Sequence, residues 1–161
     1  MLRPWVQKIH PSAKVLLRTV PAYLGLDYGT KRIGLALADE LGIALPLGTI
    51  PGIDFSDWMV EMKRVVKERG IDQFVIGYPI HMDGSVGKRA MEVDAFIAEL
   101  VQEFSLPIHR VDERLTSVAA AESMQAKSRG NRRRKPADGR IDATAASLIL
   151  RDFLDGKEGL S

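Results

Sequence analysis

The chain has 161 residues, 45% of them apolar and 27% charged, which suits one domain with a real core and a solvated surface. It has no cysteine, which excludes disulfides, cysteine-ligated zinc and thiol catalysis and fits a reducing compartment. No apolar run approaches the ~18–20 residues that span a bilayer, and Val15-Leu16-Leu17 is too short for a signal peptide. The expectation is a cytoplasmic protein with no membrane association.

The net charge of +2 hides an asymmetry. Residues 1–22 carry Arg3, Lys8, Lys14 and Arg18 and no acid. Residues 127–140 carry Lys127, Arg129, Arg132, Arg133, Arg134, Lys135 and Arg140 against Asp138 alone. The remainder of the chain is therefore acidic by eight charges. Basic segments on an acidic body point to a polyanionic partner such as nucleic acid, with Arg132, Arg133, Arg134 and Lys135 as phosphate contacts. The alternatives are a solubilising tail for the first segment and a floppy loop for the second.

In chain order, residues 1–21 lack periodicity and read as a basic extension. Tyr23–Asp27, Arg32–Ala38 and Ala44–Ile50 read as strands with short turn-like links, hence an antiparallel meander. Asp54 or Ser56 can cap a helix running to Arg69, with Trp58, Met62, Val65 and Val66 as its apolar stripe and Gly70 as its stop. Gln73–Gly77 is a short buried-type strand. A loop over 78–87 leads to a helix ending near Phe104, with Met91, Phe96, Ile97, Leu100, Val101 and Phe104 at helical spacing. Pro107–Val111 is the last strand. Thr116 or Ser117 caps a helix to about Lys127; the basic loop follows, then a helix from about Gly139 to Phe153. Residues 22–155 thus form an α/β domain, with a five-stranded mixed sheet of three antiparallel and two parallel strands flanked by helices, and 156–161 form a tail.

Three carboxylates stand where a charge is costly. Asp27 ends the first strand on the same face as Tyr23 and Gly25; it is either part of a site or a turn aspartate binding the following backbone. Glu113 ends the last strand in Val111-Asp112-Glu113-Arg114, and alternation sends Asp112 to the opposite face; Glu113 is either part of a site or one end of a surface Asp-Glu-Arg turn with a local salt bridge. Asp142 shares a helical face with Ala146, Ile149 and Phe153, a face that should pack on the sheet, so it is either part of a site or a first-turn aspartate interacting with the helix N-terminus. Convergent carboxylates are hard oxygen ligands, suited to Mg²⁺ or Mn²⁺, and two such ions can drive phosphodiester hydrolysis. Asp39, at the end of the second strand, is a candidate auxiliary acid. Lys31 and Arg32 are either phosphate contacts or a charged hairpin turn. Met82-Asp83-Gly84-Ser85 precedes a helix N-terminus and is either an anion site or an ordinary turn with a serine cap. His81 and His109 are candidate general bases, and Trp5 and Trp58 read as packing residues rather than base-stacking platforms.

These residues carry a resemblance. Gly25-Leu26-Asp27-Tyr28-Gly29-Thr30-Lys31-Arg32-Ile33-Gly34 resembles the opening signature of the YqgF/RuvX family. Val75-Ile76-Gly77-Tyr78-Pro79 with Met82-Asp83-Gly84-Ser85, then Asp112-Glu113-Arg114-Leu115-Thr116-Ser117, and Ile141-Asp142-Ala143-Thr144-Ala145-Ala146 follow in the family's order. The resemblance implies an RNase H-like fold and a nuclease, a hydrolase of ester bonds that processes the precursor of 16S ribosomal RNA. It puts the family's acidic residues on Asp27, Glu113 and Asp142, as catalytic and metal-holding groups, and adds Arg114 to the nucleic-acid contacts. His81 departs from the family's usual asparagine and Tyr78 from its usual leucine. Two other activities share these residues: resolution of branched DNA at Holliday junctions, which would call for a dimer, and non-catalytic binding of nucleic acid in transcription or ribosome assembly. The glycine-rich first motif also resembles the phosphate loop of the actin and hexokinase group, which needs two lobes where this chain supplies one. The expected assembly is a monomer or weak homodimer.

Overall fold

The computed structural model describes residues 20–114 and 138–156. Within them, β1 (Tyr23–Asp27), β2 (Arg32–Ala38) and β3 (Leu45–Pro51) are followed by α1 (Trp58–Arg69), β4 (Gln73–Tyr78), α2 (Lys88–Glu103), β5 (Ile108–Asp112) and α3 (Asp138–Leu154). The helix expected over 116–127 and most of the basic loop lie outside the described residues.

One five-stranded sheet runs in the order β3-β2-β1-β4-β5. β1 pairs antiparallel with β2 and parallel with β4; β3 is antiparallel to β2, and β5 parallel to β4. The meander and the two parallel strands expected from the sequence are both present.

Period-two alternation divides the core between the two faces. Leu24, Leu26, Ile33, Leu35, Phe74 and Ile76 point to one side, where α1 contributes Trp58, Met62 and Val65, and α2 contributes Val93, Phe96 and Leu100. Ala36, Ala38, Val75 and Val111 point to the other side, against Ala146, Ile149 and Leu150 of α3. Small residues let α3 lie close. A Cβ on Gly25 would stand 2.8 Å from Leu150 Cβ, and a Cβ on Gly34 would overlap the Asp142 carbonyl.

Several details depart from the sequence reading. β3 is shifted by one residue to Leu45–Pro51 and carries a bulge opposite Leu35 and Ala36. Its prolines are tolerated because it is an edge strand, where a missing N–H breaks little of the ladder. α1 starts after Asp57, which makes no side-chain cap bond. Asp54 is drawn instead into the β1–β2 turn, where its N–H donates to the Thr30 carbonyl at 3.0 Å and its carboxylate pairs with Lys31 at 3.0 Å. Gly70 ends α1 in the left-handed conformation, φ 59°, with its N–H on the Val66 carbonyl. In α2, Met91 and Val101 are 66% and 59% exposed. The buried stripe runs through Ala90, Val93, Ile97 and Leu100, and at about 100° per residue positions 91 and 101 fall off its edge.

Candidate functional site

The carboxyl ends of β1 and β4 bound a cleft of about 250 Å³ lined by Asp27, Tyr28, Gly77, Pro79, Arg89, Val93 and Glu113. Asp27 is the last residue of β1, on the α3 side with Tyr23 and Gly25. Tyr28 turns the opposite way and is buried, its ring 5.3 Å from that of Phe96, which in turn lies 5.3 Å from Trp58. This aromatic stack anchors the chain next to Asp27, and Trp58 is a packing residue.

Glu113 reaches the cleft because β5 ends one residue before it. Its N–H donates to the Tyr78 carbonyl at 3.3 Å, extending the β4–β5 ladder. Its side chain lies over Gly77: a Cβ there would overlap Glu113 Oε1 and stand 2.6 Å from Ile149 Cδ1. Asp112 takes the other face. It accepts from Arg114 at Nε, 2.9 Å, and at Nη2, 2.6 Å, and these bonds hold its carboxyl below the usual carboxylate range against the opposing effect of partial burial. The local acid–arginine pair of the Asp-Glu-Arg turn thus involves Asp112, leaving Glu113 to the cleft.

Asp142 stands in the second turn of α3, on the buried face with Ala146 and Ile149. Its backbone packs on Gly34, the cross-strand partner of Asp27. Its carboxylate Oδ2 accepts from Arg32 Nε at 3.0 Å. All three acids are therefore at one end of the sheet, but only Asp27 and Glu113 line the cleft. Among the described residues, no group of three or more His, Asp or Glu is arranged to hold a metal ion. The two cleft carboxylates, with no imidazole beside them among the described residues and no cysteine in the chain, are a donor set that fits a hard divalent cation.

The other candidates scatter. Lys31 pairs with Asp54, Arg32 with Asp142, and Arg114 with Asp112. Arg132, Arg133, Arg134 and Lys135 lie outside the described residues. Asp39 is at the opposite end of the sheet: antiparallel pairing sets Asp27 opposite Gly34 but Tyr23 opposite Ala38, so the end of β2 lies four strand positions from Asp27. Asp39 accepts instead from the Leu41 N–H at 3.1 Å, in the β2–β3 turn. His109 lies mid-strand in β5, 2.6 Å from Gln73 Oε1 and stacked on Phe153, away from the cleft. His81 lies against Gly87 in the β4–α2 loop, which closes on itself through His81 N–H to the Ser85 carbonyl, 3.0 Å, and Ser85 N–H to Asp83 Oδ1, 2.8 Å. Ser85 is not the cap of α2; Gly87 holds that position. Tyr78 is buried and donates through its hydroxyl to Asp94 Oδ2 at 2.8 Å, so it serves the packing of α2 on β4.

Arg89 is the cleft residue that sequence reasoning missed. It is the second residue of α2, its Nη2 donates to the Tyr28 carbonyl at 2.6 Å, and its guanidinium lies 5.3 Å from the Tyr28 ring centroid. The available signal was its place just after the loop already singled out as a phosphate site.

Comparison with known proteins agrees with this architecture. A family model described as RuvX, Holliday junction resolvase, matches residues 21–156. Proteins named "Putative pre-16S rRNA nuclease" are similar over most of their length. The one from Opitutus terrae is 43% identical across 82% of this chain and 90% of its own. The one from Synechococcus elongatus is 44% identical across 83% and 89%, and the one from Moorella thermoacetica 41% identical across 85% and 98%. Among solved structures, T. thermophilus RuvC in complex with Holliday junction substrate superposes with a TM-score of 0.50 at 11% identity, covering 86% of this chain and 96% of that one, a likeness of fold. With its four motifs, its sheet order and these relatives in agreement, the chain belongs to the RuvX family of RNase H-like proteins.

Proposed function

We propose that this protein is a metal-dependent nuclease that hydrolyses phosphodiester bonds of nucleic acid, with the precursor of 16S ribosomal RNA as its substrate. The observation that carries this reading is the meeting of Asp27 and Glu113, far apart in sequence, in one cleft at the carboxyl end of the sheet. The names of the relatives supply the substrate.

Asp27 and Glu113, with Asp142 from the neighbouring helix, are the residues that would hold Mg²⁺ or Mn²⁺. Such a cation, when bound, lowers the pKa of water and stabilises developing charge on phosphate oxygens. The protein's own part is placement. Gly77 leaves the cleft floor bare so that the Glu113 carboxylate lies over it, and the Tyr28–Phe96–Trp58 stack fixes the backbone beside Asp27. Arg132, Arg133, Arg134 and Lys135 hold flanking phosphates, and Lys31, Arg32 and Arg114 join them only by exchanging their carboxylate partners for phosphate. Among the described residues no helix is long and apolar enough to cross a membrane, and a cytoplasmic monomer or weak dimer is the matching cellular form. The family's description favours a second reading, resolution of Holliday junctions by the same acids.

The deciding experiment compares a labelled single-stranded RNA carrying a ribosomal-precursor leader with a synthetic four-way DNA junction, in Mg²⁺ or Mn²⁺. RNA cleavage is expected, and Asp27→Asn is expected to fold normally and cut slower by orders of magnitude. Cleavage of the junction alone would establish the second reading. Binding of both substrates without cutting would overturn the nuclease reading in favour of a non-catalytic factor.

A further inference from the structure

A cation held by Asp27 and Glu113 would offset their charge at the reacting phosphate, but the rest of the bound backbone still needs cationic side chains that are not already paired. Lys31, Arg32 and Arg114 are each engaged by a carboxylate, which cancels much of their charge. Arg89 is held differently. Its anchors are the Tyr28 carbonyl and the Tyr28 ring face, neither of which carries net charge, and it is in no ion pair with any described residue. A guanidinium has five N–H donors, and the bond to Tyr28 uses one. Arg89 also stands in the wall of the same cleft as Asp27 and Glu113.

We propose that Arg89 is a phosphate-binding residue of this cleft, gripping a backbone phosphate of the nucleic acid next to Asp27 and Glu113. The inference rests on the nuclease reading and adds to it the group that receives the substrate's charge. Its contact with Tyr28 gives it a second effect: it ties the residue after Asp27 to the start of α2, so substrate grip and carboxylate placement share one side chain. The planar fork can take two phosphate oxygens at once, which an ammonium group cannot.

The test uses the full chain as wild type, Arg89→Gln and Arg89→Lys, each checked by circular dichroism and thermal melting. Binding of a dye-labelled single-stranded RNA is followed by anisotropy across a salt series in EDTA, and cleavage is followed in Mn²⁺. Arg89→Gln is expected to weaken binding about tenfold and to reduce the slope of log affinity against log salt by about 0.7, the loss of one single-strand phosphate contact. Arg89→Lys is expected to keep the slope and lose cleavage rate, because the charge stays and the fork goes. A folded Arg89→Gln protein with an unchanged salt slope overturns the proposal, and so does an Arg89→Lys protein that binds and cuts like wild type. The wild-type control separates the two readings. Wild type that cuts, with a slope indifferent to Arg89→Gln, removes Arg89 and keeps the nuclease. Wild type that binds through Arg89 without cutting removes the nuclease and keeps the phosphate site. Wild type that neither binds nor cuts overturns both.

Discussion

Arg32 Nε lies 3.0 Å from Asp142 Oδ2 and so joins the first residue of β2 to the second turn of α3. The pair is part-exposed, with side-chain exposures of 41% and 28%, so solvent screens it and its stabilising contribution is at most about 1 kcal/mol. Its larger consequence is where it holds the Asp142 carboxylate: beside Gly34's strand and outside the cleft that Asp27 and Glu113 share.

Replacing Arg32 tests whether this pairing competes with a cation. Arg32→Gln is expected to cost no more than about 1 kcal/mol in thermal unfolding and to tighten Mn²⁺ binding measured by titration calorimetry, because Asp142 is released. Weaker Mn²⁺ binding in a normally folded variant would mean that Arg32 positions Asp142 rather than restraining it.

Two glycines on the α3 face separate stability from activity. Gly25→Ala pushes a methyl to 2.8 Å from Leu150 Cβ, and overpacking of this sort costs about 1–3 kcal/mol while leaving the cleft intact. Gly77→Ala meets both Ile149 and the Glu113 carboxylate, so it is expected to lose similar stability and nearly all cleavage. Cleavage rates per folded molecule, measured well below each melting point, check the contrast. Equal activity loss in both variants would break the assignment of Glu113 to the site.

The Asp112–Arg114 pair has a pH signature. Hydrogen bonds from Arg114 lower the Asp112 pKa in the folded protein. A depressed folded pKa stabilises above the unfolded value of about 3.9, and that stability is lost as pH falls through the lower folded value. Asp112→Asn is therefore expected to be less stable than wild type at neutral pH, with the gap closing below about pH 4. A gap that persists in acid would assign the difference to packing.

The basic run outside the described residues is tested by charge removal. Replacing Arg132, Arg133 and Arg134 together is expected to weaken RNA binding and to flatten its salt dependence by about 0.7 per lost phosphate contact. An unchanged slope would take this segment off the binding surface.

Local pattern made much of the fold legible. The boundaries of β1 and β2 follow from alternation and glycine breaks, and α1 ends at Gly70 as its stop signal requires. The choice of Glu113 over Asp112 also follows from strand alternation, since neighbours on a strand face opposite ways. Asp39 was misplaced for the complementary reason. Nearness along a hairpin depends on register, and an antiparallel partner carries the strand's end away from its beginning. The cap of α1 was misread because Asp54 was already claimed by the β1–β2 turn, a contact invisible until the turn is built.

What the sequence by itself determined is therefore one-dimensional: the element order, the face on which each carboxylate lies, the family, and the charge imbalance along the chain. Only the tertiary structure decided which of those groups meet. The parallel pairing of β1 with β4 and of β4 with β5 brings Asp27 and Glu113 into one cleft, and the start of α2 adds Arg89 to its wall. The same packing turns Asp142 toward Arg32. The physical reason is range. Alternation and capping act over a few residues, whereas the partner of a charge is set by strand order and helix packing between segments far apart in the chain.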